Sequence, residues 1–158
     1  MTRTLLSRSA LVVCLLALLA VPTASARSDD AARLQLVWPA QGTVTSRFGE
    51  QRGSSVHDGI DIGMLRNLRL TAVGAGVVRK AGYVGGYAGY GQIVVLGLPG
   101  GYTAVYAHLS RVAVKPGQRV RQGQRLGLAG CTGSCSGTHL HFEVRRSGAQ
   151  LNPLRFLG

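Results

Sequence analysis

The sequence predicts an all-β fold: a single compact antiparallel domain, a hybrid of β-sandwich and barrel, with a narrow groove and little helix. The chain of 158 residues contains 23 glycines, which separate short runs rich in β-branched and aromatic residues. The runs at 91–96 and 102–106 are examples. Short strands bounded by Gly or Pro are typical of sandwiches and barrels. Beyond residue 26, no stretch has the periodicity and caps that predict an α-helix.

Residues 1–26 have the order of a secretory signal peptide. Arg3 and Arg8 precede an apolar run at 10–21, and the small-residue string 24–26 follows it. The apolar run is shorter than the roughly 20 residues that a membrane-spanning helix needs. We therefore expect cleavage after residue 26, no membrane span afterwards, and export to the periplasm, the cell wall or the medium. An uncleaved anchor is the alternative.

The remaining chain is predicted to consist of a short polar arm at 27–36 and one domain at 37–158. No linker or low-complexity block divides this domain, and its length suffices for a single core. We expect a monomer.

The formal net charge of the chain is +12, and it stays strongly positive without the signal peptide. Such a charge attracts polyanions. Nucleic acid is disfavoured, because the basic residues are scattered and no aromatic-rich nucleic-acid motif accompanies them. For an exported protein, anionic envelope polymers are the more natural partner, and a merely solvated basic surface is the alternative.

Two cysteines follow the signal peptide, Cys131 and Cys135, in a loop rich in Gly, Ser and Thr. Export places them in an oxidising compartment, which favours a disulfide that stiffens the loop leading into His139. A CxxxC metal pair is the alternative interpretation.

All four histidines fall in three short blocks: His57 to Asp61, Tyr106 to Leu109, and His139 to His141. Imidazole and carboxylate are ligands that zinc accepts. On a straight strand, residues four apart are roughly 13 Å from each other. For His57 and Asp61 to bind one ion, the segment must bend, and Gly59 provides the freedom.

His139 and His141 lie two residues apart, so one strand would point both imidazoles to the same face. Spacing leaves open whether one or both bind the ion. His108 ends the candidate strand that begins at Tyr102. Two acidic neighbours have weaker assignments: Asp58 is solvated or supports a ligand, and Glu143 either orients a ligand or pairs with the nearby Arg145.

Six stretches carry a resemblance to a known family: Val44–Gly49, His57–Ile62, Gly89–Gln92, Tyr106–Leu109, Lys115–Gln124 and Gly137–Val144. In residues and order they resemble the M23 family of zinc metallopeptidases, the lysostaphin-like or LytM-type peptidoglycan endopeptidases. The matching region extends over about residues 38–156, nearly the whole domain. One stretch departs from the family: residues 63–70 are bulkier and more basic than the usual turn.

The resemblance implies that His57, Asp61 and His141 bind Zn²⁺, and that His108 and His139 act on the water or the transition state. Three protein ligands would leave the open position that a catalytic zinc requires. The implied function is a zinc-dependent endopeptidase that cleaves peptide cross-links of bacterial peptidoglycan with metal-activated water.

The main alternative is a non-catalytic LytM-type regulator that binds the cell wall and activates another wall hydrolase. Such proteins typically lack metal or catalytic residues, whereas all five positions are filled here. A lipoyl-type or phosphohistidine carrier is less compatible. The only lysines are Lys80 and Lys115, and a phosphohistidine carrier would not need Asp61.

Overall fold

The computed structural model describes residues 34–158, so the predicted signal peptide 1–26 and most of the predicted arm 27–36 lie outside the described residues. Within them the all-β prediction is confirmed, with two 3-10 turns as the only helical segments. The strands are β1 Thr43–Ser46, β2 Gln51–Arg52, β3 Ser55–Val56, β4 Ile60–Gly63, β5 Arg69–Thr71, β6 Gly76–Tyr83, β7 Gln92–Gly97, β8 Tyr102–Val112, β9 Arg119–Val120, β10 Arg125–Ala129, β11 Leu140–Arg146 and β12 Ala149–Leu151; the 3-10 turns are Pro99–Gly101 and Pro153–Arg155.

Ten of the strands form one antiparallel sheet with the central order β1-β4-β11-β8-β7-β6-β9. β12 extends it beside β11, β10 pairs with both β5 and β8, and β2 and β3 form a separate hairpin. The 11-residue strand β8 changes partners along its length: it pairs with β11 and β7 first, and with β10 at its end. Strands that change partners in this way turn the corners of sandwiches and barrels.

The alternation of side chains along the strands divides the interior into two clusters. On β7, Val94 and Leu96 join the main core, whereas Ile93 and Val95 point to the other face and join a second cluster. The loop at 84–91 covers this second cluster with partly buried side chains. Packing of the loop against the sheet thereby fixes one wall of the site described below.

The two ends of the domain are joined through Leu36, which is buried in the main core. Its N–H donates to the carbonyl of Phe156 over 2.8 Å, and its carbonyl accepts from the N–H of Gly158 over 3.0 Å. The predicted domain start at residue 37 stays a prediction. Among residues 34–158 there is no helix long and apolar enough to cross a membrane.

Candidate metal centre

Two adjacent strands bring a carboxylate and an imidazole together. Asp61 on β4 lies directly opposite His141 on β11 in the antiparallel register, so both side chains project from the same face of the sheet. His57 lies before β4, where its N–H donates to the carbonyl of Glu50. The segment from His57 to Asp61 thus bends as the sequence predicted.

Gly59 permits this bend because its lack of a side chain lets the segment pass close to the backbone of β11. A Cβ at this position would lie 2.3 Å from the carbonyl oxygen of Phe142 and 2.8 Å from Cγ of Glu143. The glycine is therefore required because β11 passes directly beside it, rather than because of a left-handed backbone.

The three side chains converge on one point. His57 Nε2 is 3.0 Å from His141 Nδ1, His141 Nδ1 is 2.9 Å from Asp61 Oδ1, and His57 Nε2 is 3.2 Å from the same oxygen. Tetrahedral ligands at zinc distances of about 2.0–2.1 Å are separated by roughly 3.3 Å. The donor types and their spacing fit a small divalent metal ion, and all three residues are buried.

The far nitrogen of His57 fixes its tautomer. Nδ1 lies 2.9 Å from the carbonyl of Arg47 and 3.2 Å from Oγ of Ser46. Because a carbonyl only accepts, the proton of the neutral ring is on Nδ1. The lone pair of Nε2 is then directed at the metal position, as a metal-binding histidine requires.

His141 is oriented by a buried carboxylate. Its Nε2 donates to Glu143 Oε1 over 2.9 Å, which leaves Nδ1 for the metal. Glu143 is 0% exposed and also accepts from the hydroxyl of Tyr90 over 2.6 Å and from Arg145. Glu143 thus makes both contacts that the sequence offered as alternatives: one with the candidate ligand His141 and one with Arg145.

Hydrogen bonds keep the carboxylates ionised in spite of burial. Burial raises the pKa of Asp61, but the polar contacts with His141, His57 and Arg52 outweigh it and leave the pKa well below the ordinary value. The pKa of Glu143 is lowered in the same way, by His141, Arg145 and Tyr90 against its burial. An ionised carboxylate is the form that coordinates a metal.

Arg52 is a site residue that the sequence did not reveal. It belongs to the β2–β3 hairpin, and its guanidinium donates to Asp61 Oδ2 over 2.5 Å and to Oγ of Ser46 over 2.9 Å. Asp61 is thereby held so that Oδ1 faces the two histidines. One of many scattered arginines carries no sequence signal for this role.

His108 does not end its strand, which corrects the sequence prediction. β8 continues to Val112, and His108 lies within it at a break in register, with a left-handed φ of 63°. Such a conformation is uncommon for a residue other than glycine, and strand irregularities often re-aim side chains at functional sites. Nδ1 of His108 donates to the carbonyl of Thr132 over 2.8 Å, which leaves Nε2 as an acceptor.

His139 lies immediately before β11, paired with Gly130 in an isolated bridge. Its Nδ1 donates to the carbonyl of Gly137 over 2.7 Å, and its Nε2 is 3.7 Å from Asp61 Oδ1. The ring centroids of His139 and His108 are 4.8 Å apart. The two imidazoles form a pair beside the three converging donors, and among residues 34–158 no hydrogen bond occupies Nε2 of His108.

One loop holds both members of this pair. Residues 131–137 supply the carbonyls that fix His108 and His139. Cys131 and Cys135 are paired across this loop, with Cα atoms 5.4 Å apart, at disulfide distance. Among residues 34–158, neither cysteine belongs to the group that could hold a metal, so the structure does not support a CxxxC metal pair.

A groove of about 230 Å³ lies over the centre. Its walls are the β2–β3 hairpin, the loop at 84–91 and the loop that begins at Cys131; Asp58 lines it as well. The two loops touch through their backbones: the N–H of Ser134 donates to the carbonyl of Gly89 over 2.8 Å, and a Cβ on Gly91 would lie 2.3 Å from the backbone of Thr132.

Two imidazoles and a carboxylate that converge in a groove form a donor set that zinc peptidases use. The pattern of peptidase family M23 matches residues 55–153, which is more than half of the chain. The chain belongs to this family.

The chain is 36% identical over 136 residues to the murein hydrolase activator NlpD of Salmonella dublin, a match that covers 86% of this chain and 35% of the activator. It therefore spans about a third of the length of that relative. A zinc-containing peptidase from Vibrio cholerae is similar in structure, with 29% identity, a TM-score of 0.64, and coverage of 75% of this chain and 37% of that one. A catalytic-domain variant of the prophage-encoded M23 protein EnpA from Enterococcus faecalis has 27% identity, a TM-score of 0.66, and coverage of 76% and 95%.

Proposed function

We propose that this protein is a zinc-dependent endopeptidase that hydrolyses peptide cross-links of bacterial peptidoglycan. The observation that carries this conclusion is the pair of imidazoles of His108 and His139 beside the three donor atoms that converge among residues 34–158, with Nδ1 of each imidazole bound to a backbone carbonyl. Structural zinc sites use four protein ligands, whereas catalytic sites use three and keep one position open. The arrangement supports catalysis rather than a structural role.

His57, Asp61 and His141 would hold the ion through the three atoms described above. When bound, zinc activates water for attack and polarises a carbonyl oxygen. The chain's own residues then have two tasks: to keep the ligands in position, which Arg52 and Glu143 do, and to transfer protons.

We assign proton acceptance to His108. Burial lowers its pKa below the ordinary value, so the ring is neutral at pH 7 and its Nε2 can accept a proton. The hydrogen bond to the Thr132 carbonyl holds the ring in this tautomer. His139 lies beside it, and in its protonated form its Nε2–H would donate to the leaving amine or to the developing oxyanion. The two histidines act jointly.

The substrate class is supported by the groove and by the relatives. A narrow groove walled by two loops and a hairpin accommodates an extended peptide. The name of the Salmonella relative refers to murein, and that of the Vibrio structure to a zinc-containing peptidase. We further propose export, removal of residues 1–26, and a Cys131–Cys135 disulfide formed outside the cytoplasm.

A second function has a specific observation in its favour. The chain is similar to murein hydrolase activators over most of its length, both NlpD and, with 34% identity over 129 residues, EnvC of Escherichia coli. As an activator, the domain would bind a second wall hydrolase and would need neither metal nor His108.

Digestion of purified muropeptides, followed by mass spectrometry, tests the peptidase. We expect new amine and carboxyl termini with the zinc-loaded protein, and none after chelation or with His108→Ala. In parallel, the same proteins are added to sacculi together with a second wall hydrolase. Intact muropeptides, combined with equal stimulation of the second hydrolase by wild type and His108→Ala, would establish the activator instead.

A further inference from the structure

A second groove, of about 630 Å³, shares no lining residue with the metal centre. We call it the Trp38 groove; the lining residues that matter here are Trp38, Gln41, Asn67, Leu68, Arg69 and Arg125. Its volume falls in the range of sites that bind small ligands, about 300–1,000 Å³. No step of the proposed hydrolysis uses it.

The groove combines an exposed aromatic ring with unpaired positive charge. Trp38 is 42% exposed and Leu68 is 44% exposed, although both are large apolar side chains. Arg69 and Arg125 are exposed, and no carboxylate of the described residues forms an ion pair with either. The side-chain amides of Asn67 and Gln41 are hydrogen-bonded to each other over 3.1 Å and retain further donors and acceptors.

Charge is segregated across the molecule. Among residues 34–158 the only carboxylate side chains are Glu50, Asp58, Asp61 and Glu143, and all belong to or adjoin the metal centre. Every other charged side chain in this part of the chain is Arg or Lys. A polyanion that approaches the Trp38 groove therefore meets no repulsion there.

The positive surface continues across the sheet beside the groove. In the register of β5, β10 and β8, Arg69 lies opposite Leu128, which in turn lies opposite Arg111. Residues opposite each other on neighbouring strands project to the same face. The two arginines thus flank an apolar side chain in a row that is perpendicular to the strands.

We propose that the Trp38 groove binds an acidic glycan, a polysaccharide strand that carries carboxylates. The flat ring of Trp38 offers a face for the apolar side of a sugar, the amides of Gln41 and Asn67 match hydroxyls, and the arginines bind carboxylates in a fixed, bidentate geometry. The apolar residues line a concave surface rather than a protruding tip, which suits a strand better than the plane of a lipid bilayer.

The groove adjoins the catalytic end of the domain. The carbonyl of Leu68 accepts from the N–H of Ala129 over 2.8 Å, and the next residue, Gly130, pairs with His139. A glycan held in the Trp38 groove would therefore keep attached peptides near the metal centre. This consequence rests on the proposed peptidase, whereas glycan binding itself does not.

Titration with oligogalacturonate, a carboxylated sugar chain, tests the inference in chelator, where no hydrolysis occurs. We expect Trp38→Ala and the double variant Arg69→Gln/Arg125→Gln each to weaken binding at least about tenfold. The matched control is Arg119→Gln/Arg121→Gln, which removes the same charge from exposed positions outside the groove, and we expect it to bind within about twofold of wild type.

Four results would overturn the inference. They are equal weakening by the control pair, equal binding of polyglutamate, tighter binding of phosphatidylglycerol vesicles through the same residues, and no binding of oligogalacturonate. Because binding is measured without metal, a protein that binds the glycan but cleaves no muropeptide would support this site while contradicting the peptidase.

Discussion

Replacement of Glu143 by Gln tests whether this buried carboxylate positions His141 for metal binding. The carboxylate accepts from His141 Nε2, from the hydroxyl of Tyr90 and from Arg145, and it is fully buried. Gln preserves the shape but not the charge. Its NH₂ group also places a donor where Arg145 or His141 already donates.

The expected loss follows from the hydrogen-bond energies. A hydrogen bond to a charged group contributes about 1.5–3 kcal/mol, against about 0.5–1.5 kcal/mol for a neutral one. The difference of about 1–1.5 kcal/mol corresponds to about tenfold in zinc affinity. The misplaced donor adds to this, so we expect a loss of about 10–100-fold, as is typical for partners of metal-bound histidines.

One effect opposes this loss. Burial lowers the pKa of His141, but hydrogen bonds to Asp61 and Glu143 outweigh it and raise the pKa overall. Removal of the Glu143 charge eases deprotonation of the ring, which favours metal binding at low pH. Proton competition is smaller at pH 8 than at pH 7, so the affinity should be measured at the higher pH.

Zinc affinity is measured by competition with a chromophoric chelator, with thermal unfolding of the metal-free proteins as a check on folding. Asp58→Asn is the matched control: it removes one negative charge from the same groove, and no hydrogen bond or ion pair of Asp58 is present among residues 34–158. An unchanged affinity in Glu143→Gln, or an equal loss in Asp58→Asn, would refute the positioning role.

Three further predictions concern the same centre. His57→Ala should abolish zinc binding, because it removes a donor, whereas His108→Ala should retain zinc and lose hydrolysis; elemental analysis with normal zinc in His57→Ala would reject the ligand assignment. Cys131→Ser/Cys135→Ser should retain zinc but lower hydrolysis by about tenfold. Without the disulfide the loop is less rigid and misplaces the carbonyls that hold His108 and His139. The reference is oxidised wild type, and an unchanged rate of hydrolysis would show that the disulfide is dispensable. Burial lowers the pKa of His108, so its neutral form persists as the pH falls. The rate of hydrolysis should therefore decline towards acid pH with a midpoint below about 6.5. A midpoint above this value at constant zinc occupancy would contradict proton acceptance by His108.

The sequence predicted the members of the site because their residue types and spacing are informative. The two-residue interval between His139 and His141 indicated a common face, and in the structure both approach Asp61. The four-residue interval from His57 to Asp61 indicated a bend, which the structure contains. The roles of these residues came from the family resemblance and stay predictions.

Features that depend on the backbone or on tertiary contacts could not be predicted. The carbonyl of Thr132 holds His108, but a carbonyl is common to all residues and leaves no pattern. The left-handed φ of His108 is imposed by a break in strand register, where local preference alone would favour a continuous strand. Arg52 reaches Asp61 from a hairpin whose placement depends on the rest of the fold.

The backbone contact between the loop at 84–91 and the loop at 131–137 constrains how this domain could evolve. The backbone of Gly91 packs directly against that of Thr132, and Ser134 is hydrogen-bonded to Gly89. Neither loop can therefore lengthen at this junction without displacing the other. Insertions would have to occur in both loops at once. Selectivity of the proposed peptidase would then diversify by exchange of side chains that line the groove, such as the exposed Ala88, while chain length at the junction stays constant.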